Sequence, residues 1–218
     1  MITYVFDMDD GGTHRFVVDT QDKKDQRVGP DWTRLTHEQC TNCPLTEKTH
    51  PVCPAAHDLI DVIDAFNEIS STARVTVTVI EPERTTIKHC DLQSALRSLI
   101  GLIMANSGCP ILGDLRGMAR FHLPFSNRQE TTFRVASSYL LKQYFLAHDD
   151  APVDLKLQGL KRLYDSLKIL NMSFAARLRS CATQDASLNA VTALFGLTNL
   201  VSFSLADDLE ELREFLID

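Results

Sequence analysis

Positive charge is in short supply in this chain. The 22 Lys and Arg stand against 29 Asp and Glu, which leaves a formal net charge of −7 and a pI near 5.5. That balance argues against nucleic-acid binding, which needs a basic footprint. It also gives no attraction to an anionic membrane surface. The short frameworks of familiar chemistry are missing too. No G-x-x-x-x-G-K-[ST], no G-x-G-x-x-G after a strand, no G-x-S-x-G and no H-E-x-x-H occurs. Nucleotide, hydrolase and zinc-protease sites of those kinds therefore have no support. The first residues, Met1 to Asp7, lack a basic segment followed by an apolar stretch, so no signal peptide is expected. The longest apolar stretch is read as about Leu96 to Ala105, which carries Arg97 and Ser98 and is too short to span a bilayer. Internal repeats and low-complexity segments are also absent. Together these absences predict a cytoplasmic protein. In that reducing compartment the six cysteines serve as thiols or ligands rather than disulfides.

What is present suits one globular domain. A chain of 218 residues with 44% hydrophobic residues can bury an ordinary core. A metal would then be a local brace and not the sole source of stability. The pattern predicts an α+β fold: a small antiparallel sheet with a Cys-rich loop, then a helical bundle. Residues 1–110 form the α+β part and residues 111–218 the mainly helical part of a single domain.

Residues 2–19 read as a β-hairpin turning at Asp9-Asp10-Gly11-Gly12. Residues 20–31 read as an exposed loop. A helix is expected from Pro54, with Cys53 as its N-cap residue and Ala56, Leu59, Ile60, Ile63 and Phe66 on one face. The β-branched run Arg74 to Ile80 is the clearest strand, and Thr85 to His89 is its expected hairpin partner. Asp91 caps the next helix, with Leu92, Ala95, Leu96, Leu99, Ile100 and Ile103 inward and Gly108 just past its end. The chain then reads as irregular until His122. Ser126 and Gln129 form a capping box for a helix with Phe133, Ala136, Leu140, Tyr144 and Ala147 inward. A long helix follows over about 154–180, carrying Asn171 on its apolar stripe. Asp185 caps a further helix, broken or kinked near Gly196, and an acidic helix spans about 206–216.

The one constellation that points to specific chemistry is made of cysteines. Cys40 and Cys43 are two residues apart, Cys53 follows after nine more, and Cys109 sits in a later break; three of the four precede proline. They belong to a loop over 32–54 that is long, rich in proline and poor in periodicity, and metal ligation would explain it. Cys40, Cys43, Cys53 and Cys109 are the expected metal ligands. His57 is the rival fourth ligand, four residues after Cys53 and so on the same helical face; His50 and His122 remain open. Zinc is the expected ion because it accepts four thiolates, or three and an imidazole, without strong geometric demands. A 4Fe–4S cluster is the alternative, since the proline after a ligand cysteine occurs in ferredoxin motifs. The plainer reading is a set of buried thiols, which suits the isolated Cys90 and Cys181. A redox thiol at Cys53 is also open, because a helix start depresses a thiol's pKa.

A second cluster breaks the acidic trend. From Ile111 to Leu146 there are five Lys/Arg and two Asp/Glu. Arg116, Arg120, His122, Arg128 and Arg134 read either as an anion-binding pocket near a helix start or as a solvated face. In the second case Glu130 simply bridges Arg134. His122, flanked by apolar residues, is a core histidine in one reading and a base or ligand near Cys109 in the other. A protein partner docking on the helical half is the third functional expectation, beside a metal-stabilised module and a metal-dependent enzyme.

The combination Cys40-Thr-Asn-Cys43-Pro-Leu45, Cys53-Pro54, Ser107-Gly-Cys109-Pro110 and His122-Leu-Pro-Phe125 resembles an uncharacterised bacterial family, a domain of unknown function. The likeness continues through Glu130-Thr-Thr-Phe-Arg134 and Tyr139-Leu-Leu-Lys-Gln-Tyr144. It implies no activity and no catalytic residue.

Overall fold

In the computed structural model, residues 1–20, 29–181 and 184–217 are described. Most of the expected loop over 20–31 lies outside them. The fold is α+β: four antiparallel strands in the order β2-β1-β3-β4, followed by helices. Strands β1 (Ile2–Met8) and β2 (Thr13–Val18) form the expected hairpin. Gly11 takes a positive φ of 100° at its turn, a conformation that costs glycine nothing. Strands β3 (Arg74–Ile80) and β4 (Thr85–Asp91) form the second hairpin, with β3 pairing β1. Alternation sets the faces: Ile2, Tyr4, Phe6 and Met8 on β1 and Val75, Val77 and Val79 on β3 are all buried.

The helix expected from Pro54 is two short ones, α1 (Pro54–His57) and α2 (Ile60–Phe66), with Cys53 at the N-cap position of the first. The break falls where the Leu59 N–H turns back to the Ala56 carbonyl at 3.2 Å. The apolar stripe survives the break, and Phe66 stacks on Phe6, Phe16 and His14. Helix α3 (Leu92–Asn106) starts as expected, Asp91 Oδ1 accepting the Ser94 N–H at 2.9 Å, and all six inward residues named above are buried. Gly108, at φ 79°, follows its end.

The chain after Cys109 is more regular than its sequence suggested: a 3₁₀ turn over Gly113–Leu115 and a short helix α4 (Arg116–Arg120). Helix α5 (Arg128–His148) does open with a capping box, one residue later than expected. Asn127 accepts the Glu130 N–H and Glu130 Oε2 accepts the Asn127 N–H at 2.8 Å. Asparagine caps as well as serine, and a carboxylate makes the stronger, charge-assisted return bond.

The inward face of α5 also differs. Phe133 is 46% and Tyr144 57% exposed, and Leu140 and Ala147 are exposed with them, while Thr132, Val135, Ala136 and Gln143 are buried. The reason is polar. Gln143 accepts the Asp154 N–H at 2.7 Å and the Tyr139 hydroxyl donates to Asp154 Oδ2 at 2.9 Å, so this face satisfies the next connection. Asp154 in turn accepts the Gly159 N–H at the start of α6 (Gln158–Arg179). A methyl on Gly159 would lie 2.2 Å from the Tyr139 hydroxyl, so a side chain here would displace the Tyr139 ring from Asp154.

Helix α7 (Ala186–Ala206) runs unbroken through Gly196. Asp185 precedes it but makes no side-chain cap; its carboxylate instead binds Ser71, accepting both the N–H (2.8 Å) and the hydroxyl (3.0 Å). Among the described residues α7 is the one helix long and apolar enough, by length and composition, to cross a membrane, and it is a longer apolar run than Leu96–Ala105. It packs against α3, α5 and α6. Asn171 of α6 donates to Thr198 of α7 at 3.1 Å, tying the two helices together. The chain ends in α8 (Glu210–Leu216).

Candidate functional site

The segment from Gly29 to Cys53 has one 3₁₀ turn (Asp31–Thr33) and a single bridge between Arg34 and Val52. It is held by backbone bonds across the loop, Leu35 N–H to Pro51 O (3.0 Å) and Cys53 N–H to Thr33 O (2.8 Å). Cys40 and Cys43 lie on one turn, where the Cys43 N–H donates to the Cys40 carbonyl at 2.9 Å. Helix α6 supports the loop from below: Asn42 donates to the Ser166 carbonyl at 3.2 Å.

Cys53 and Cys109, from two other parts of the chain, lie near enough to Cys40 and Cys43 for their charges to act on one another. All four are free thiols, with Cys109 buried and the others half-buried. Burial, then the charges of Cys53, Cys109 and Cys43, push the Cys40 thiol up to about 11, while a hydrogen bond with Ser173 of α6 acts the other way. Burial likewise raises Cys109, against hydrogen bonds from the backbone N–H groups of Leu112 and Ile111. The net effect of burial keeps the Cys109 thiol protonated in the absence of a metal. As the side chains stand, no group of three or more His, Cys, Asp and Glu among the described residues surrounds one point at metal-ligand geometry. His57 lies beside Asp58, Nδ1 to Oδ1 at 3.4 Å, and His50 Nδ1 is 3.1 Å from the Thr49 hydroxyl.

Sequence reading missed the cation under this cluster. Arg177 of α6 is 2% exposed, and its guanidinium donates to the carbonyls of Trp32, Arg34 and Leu35. No carboxylate among the described residues pairs with it within 4.0 Å. Burial lowers its pKa and the nearby Cys53 and Cys40 raise it. The sequence held one signal: Arg177 lies three residues after Phe174 and next to Leu178, on an otherwise apolar stripe.

The basic cluster distributes differently. Arg116 and Arg120 lie exposed at the two ends of α4. Arg128 forms a two-pronged ion pair with Glu211 of α8. Glu130 is used in the capping box, and Arg134 donates to the carbonyls of Met118 (3.0 Å) and Phe121 instead. His122 is buried beside Tyr4 and not beside the cysteines: the Tyr4 hydroxyl is 2.6 Å from His122 Nε2 and 2.7 Å from the Ser98 hydroxyl. Burial first, then the charges of Arg134 and Arg84, lower His122 to about 3, so it is neutral at physiological pH. Of the five basic residues, His122 and Arg134 line one cavity together.

A family model for a domain of unknown function, DUF6901, matches residues 2–216, and the chain belongs to that family. No curated protein and no solved structure matches it.

Proposed function

We propose that this member of the DUF6901 family is a metal-stabilised binding or regulatory module of the reducing cytoplasm, braced by zinc on Cys40, Cys43, Cys53 and Cys109. The observation that supports this reading is that Cys43, Cys53 and Cys109, which with Cys40 come from three chain segments, lie near enough to act on the ionisation of Cys40. Four thiolates around a divalent ion leave two negative charges, and Arg177 supplies a buried positive charge next to them. A closed four-sulfur set leaves no open coordination position, so the ion is structural and not catalytic.

Elemental analysis of protein isolated without added metal tests the reading. One zinc per chain is expected, lost in Cys109→Ser. Less than about a tenth of an equivalent of zinc or iron would overturn it, given the tight binding of structural sites. A brown protein with iron and sulfide would replace zinc by a 4Fe–4S cluster. Zinc kept in Cys109→Ser but lost in His57→Ala would make His57 the fourth ligand.

A second reading rests on a different observation. Phe133 and Phe145 of α5, Phe203 of α7 and Phe215 of α8 are all exposed. Exposed aromatics on several helices suit a protein partner on the helical half. Retention of a partner by a folded Cys40→Ser/Cys43→Ser variant would favour this reading over a metal-dependent one.

A further inference from the structure

Helices α3, α4, α5, α6 and α7 and the connection over 122–126 line a partly open cavity of about 140 Å³, distant in sequence from the cysteine loop. Most of its wall is aliphatic, with Leu102, Leu167 and Val201 among its residues. Eight polar residues break that wall; five, Ser98, His122 and Thr198 among them, are hydrogen-bonded within the protein, and three others bear on a ligand. Tyr164 is 4% exposed, and its hydroxyl makes no hydrogen bond among the described residues. Arg97 is half-buried and makes no ion pair among them. Arg134 uses one nitrogen on the Met118 and Phe121 carbonyls and has no carboxylate within 4.0 Å. Tyr164 and Arg134 are close enough for the guanidinium to act on the phenol's ionisation.

The Tyr164 hydroxyl, unpaired among the described residues, keeps contact with the pocket space, and neither Arg97 nor Arg134 has a carboxylate partner among them. A ligand oxygen pair placed between them gives these donors an acceptor. The other groups near Arg134 do not supply it: Glu81 is paired with Arg84 at 2.8 Å, and Glu130 is held in the capping box. The α5 N-terminus, filled by that same box, offers no phosphate site. A cavity of this size holds a ring about as large as benzene.

We propose that this cavity binds a small monocarboxylate with an apolar body of ring or short-chain size, its carboxylate on Arg134, Arg97 and the Tyr164 hydroxyl. The apolar body fills the aliphatic wall, and the planar carboxylate matches the fork of a guanidinium. A phosphate would place further charged oxygens against that wall and fits it poorly. No cysteine lines the site, and it does not depend on a bound metal.

The test is calorimetric titration of the full chain with benzoate and with hexanoate, against benzyl alcohol, hexan-1-ol and inorganic phosphate. Saturable binding of a carboxylate is expected, with the matching alcohol at least about tenfold weaker because it lacks the charge that Arg134 receives. Tyr164→Phe, which removes one oxygen and keeps the packing, is expected to weaken the carboxylate about tenfold. Gly101→Leu, which fills the cavity from its α3 wall, is expected to abolish binding in a protein that still unfolds cooperatively. No carboxylate binding up to about 10 mM, equal affinity for the alcohols, binding of phosphate alone, or unchanged affinity in Tyr164→Phe would each overturn the proposal.

Discussion

From Arg74 to Asn106 the backbone satisfies itself. Strands β3 and β4 pair residue for residue, and α3 bonds along its own length. From Gly29 to Cys53 it does not. That segment has few internal bonds, and three of its carbonyls rely on Arg177, which lies more than a hundred residues later in the chain. The first region is held by buried apolar area, a non-directional force that tolerates small shifts. The second is held by a few directional contacts to charge, each of which is costly to remove. The cysteines lie in the second region. A metal there would replace missing secondary structure rather than supplement a core.

Truncating each region should separate these modes. Phe66→Ala removes the ring that joins the sheet to α2, and a loss of about 3–5 kcal/mol is expected in chemical denaturation. A loss much below that would mean the apolar half repacks freely. Arg177→Met keeps bulk and removes charge; about 2–4 kcal/mol is expected. Its more telling readout is hydrogen exchange, which should accelerate at the Leu35 and Cys53 amides before it does on β3. Equal acceleration in both places would erase the contrast between the regions.

The junction between sheet and helices has its own signature in pH. His122 is held neutral in the folded state at about 3, below the ordinary value of 6.5. The unfolded chain therefore takes up its proton first as pH falls. The stabilisation is complete above about pH 6.5 and is lost progressively toward pH 3, at up to about 1.4 kcal/mol per pH unit. In His122→Gln that part of the slope should vanish when unfolding is followed between pH 6 and pH 4.

Smaller effects sharpen the helical boundaries. Asn127→Ala should cost about 1 kcal/mol in thermal unfolding, whereas Gln129→Ala should leave the α5 capping box intact. Gly101→Ala places a methyl in ordinary contact, 3.6 Å from Leu194, within the interior of α3. It should raise stability by about 0.5–1 kcal/mol.

The sequence was most legible where local rules and burial agree. The β-branched run of β3, the Asp91 cap and the stripe of α6 each say the same thing at two levels, so strand, helix start and buried face could be read directly. Reading failed where a polar need overrode the apolar pattern. Helix α5 turns Gln143 and Tyr139 inward because the connection to α6 needs partners, and this sends Phe133 and Tyr144 outward. Asp185 left its helix for Ser71 for the same kind of reason. In α7, Gly196 suggested a break, but packing on α3 and α6 kept the helix whole.

By itself, then, the sequence determined the α+β order, the two hairpins, the cysteine spacing and the face of each helix whose pattern was purely apolar. These follow from periodicity, turn chemistry and capping, which act over a few residues. The tertiary structure alone decided that Cys109 lies near the early cysteines, that Arg177 is buried close to Cys40 and Cys53, and that Tyr164 and Arg134 share a cavity. Those facts depend on contacts between residues far apart in the chain, where no local spacing carries the information.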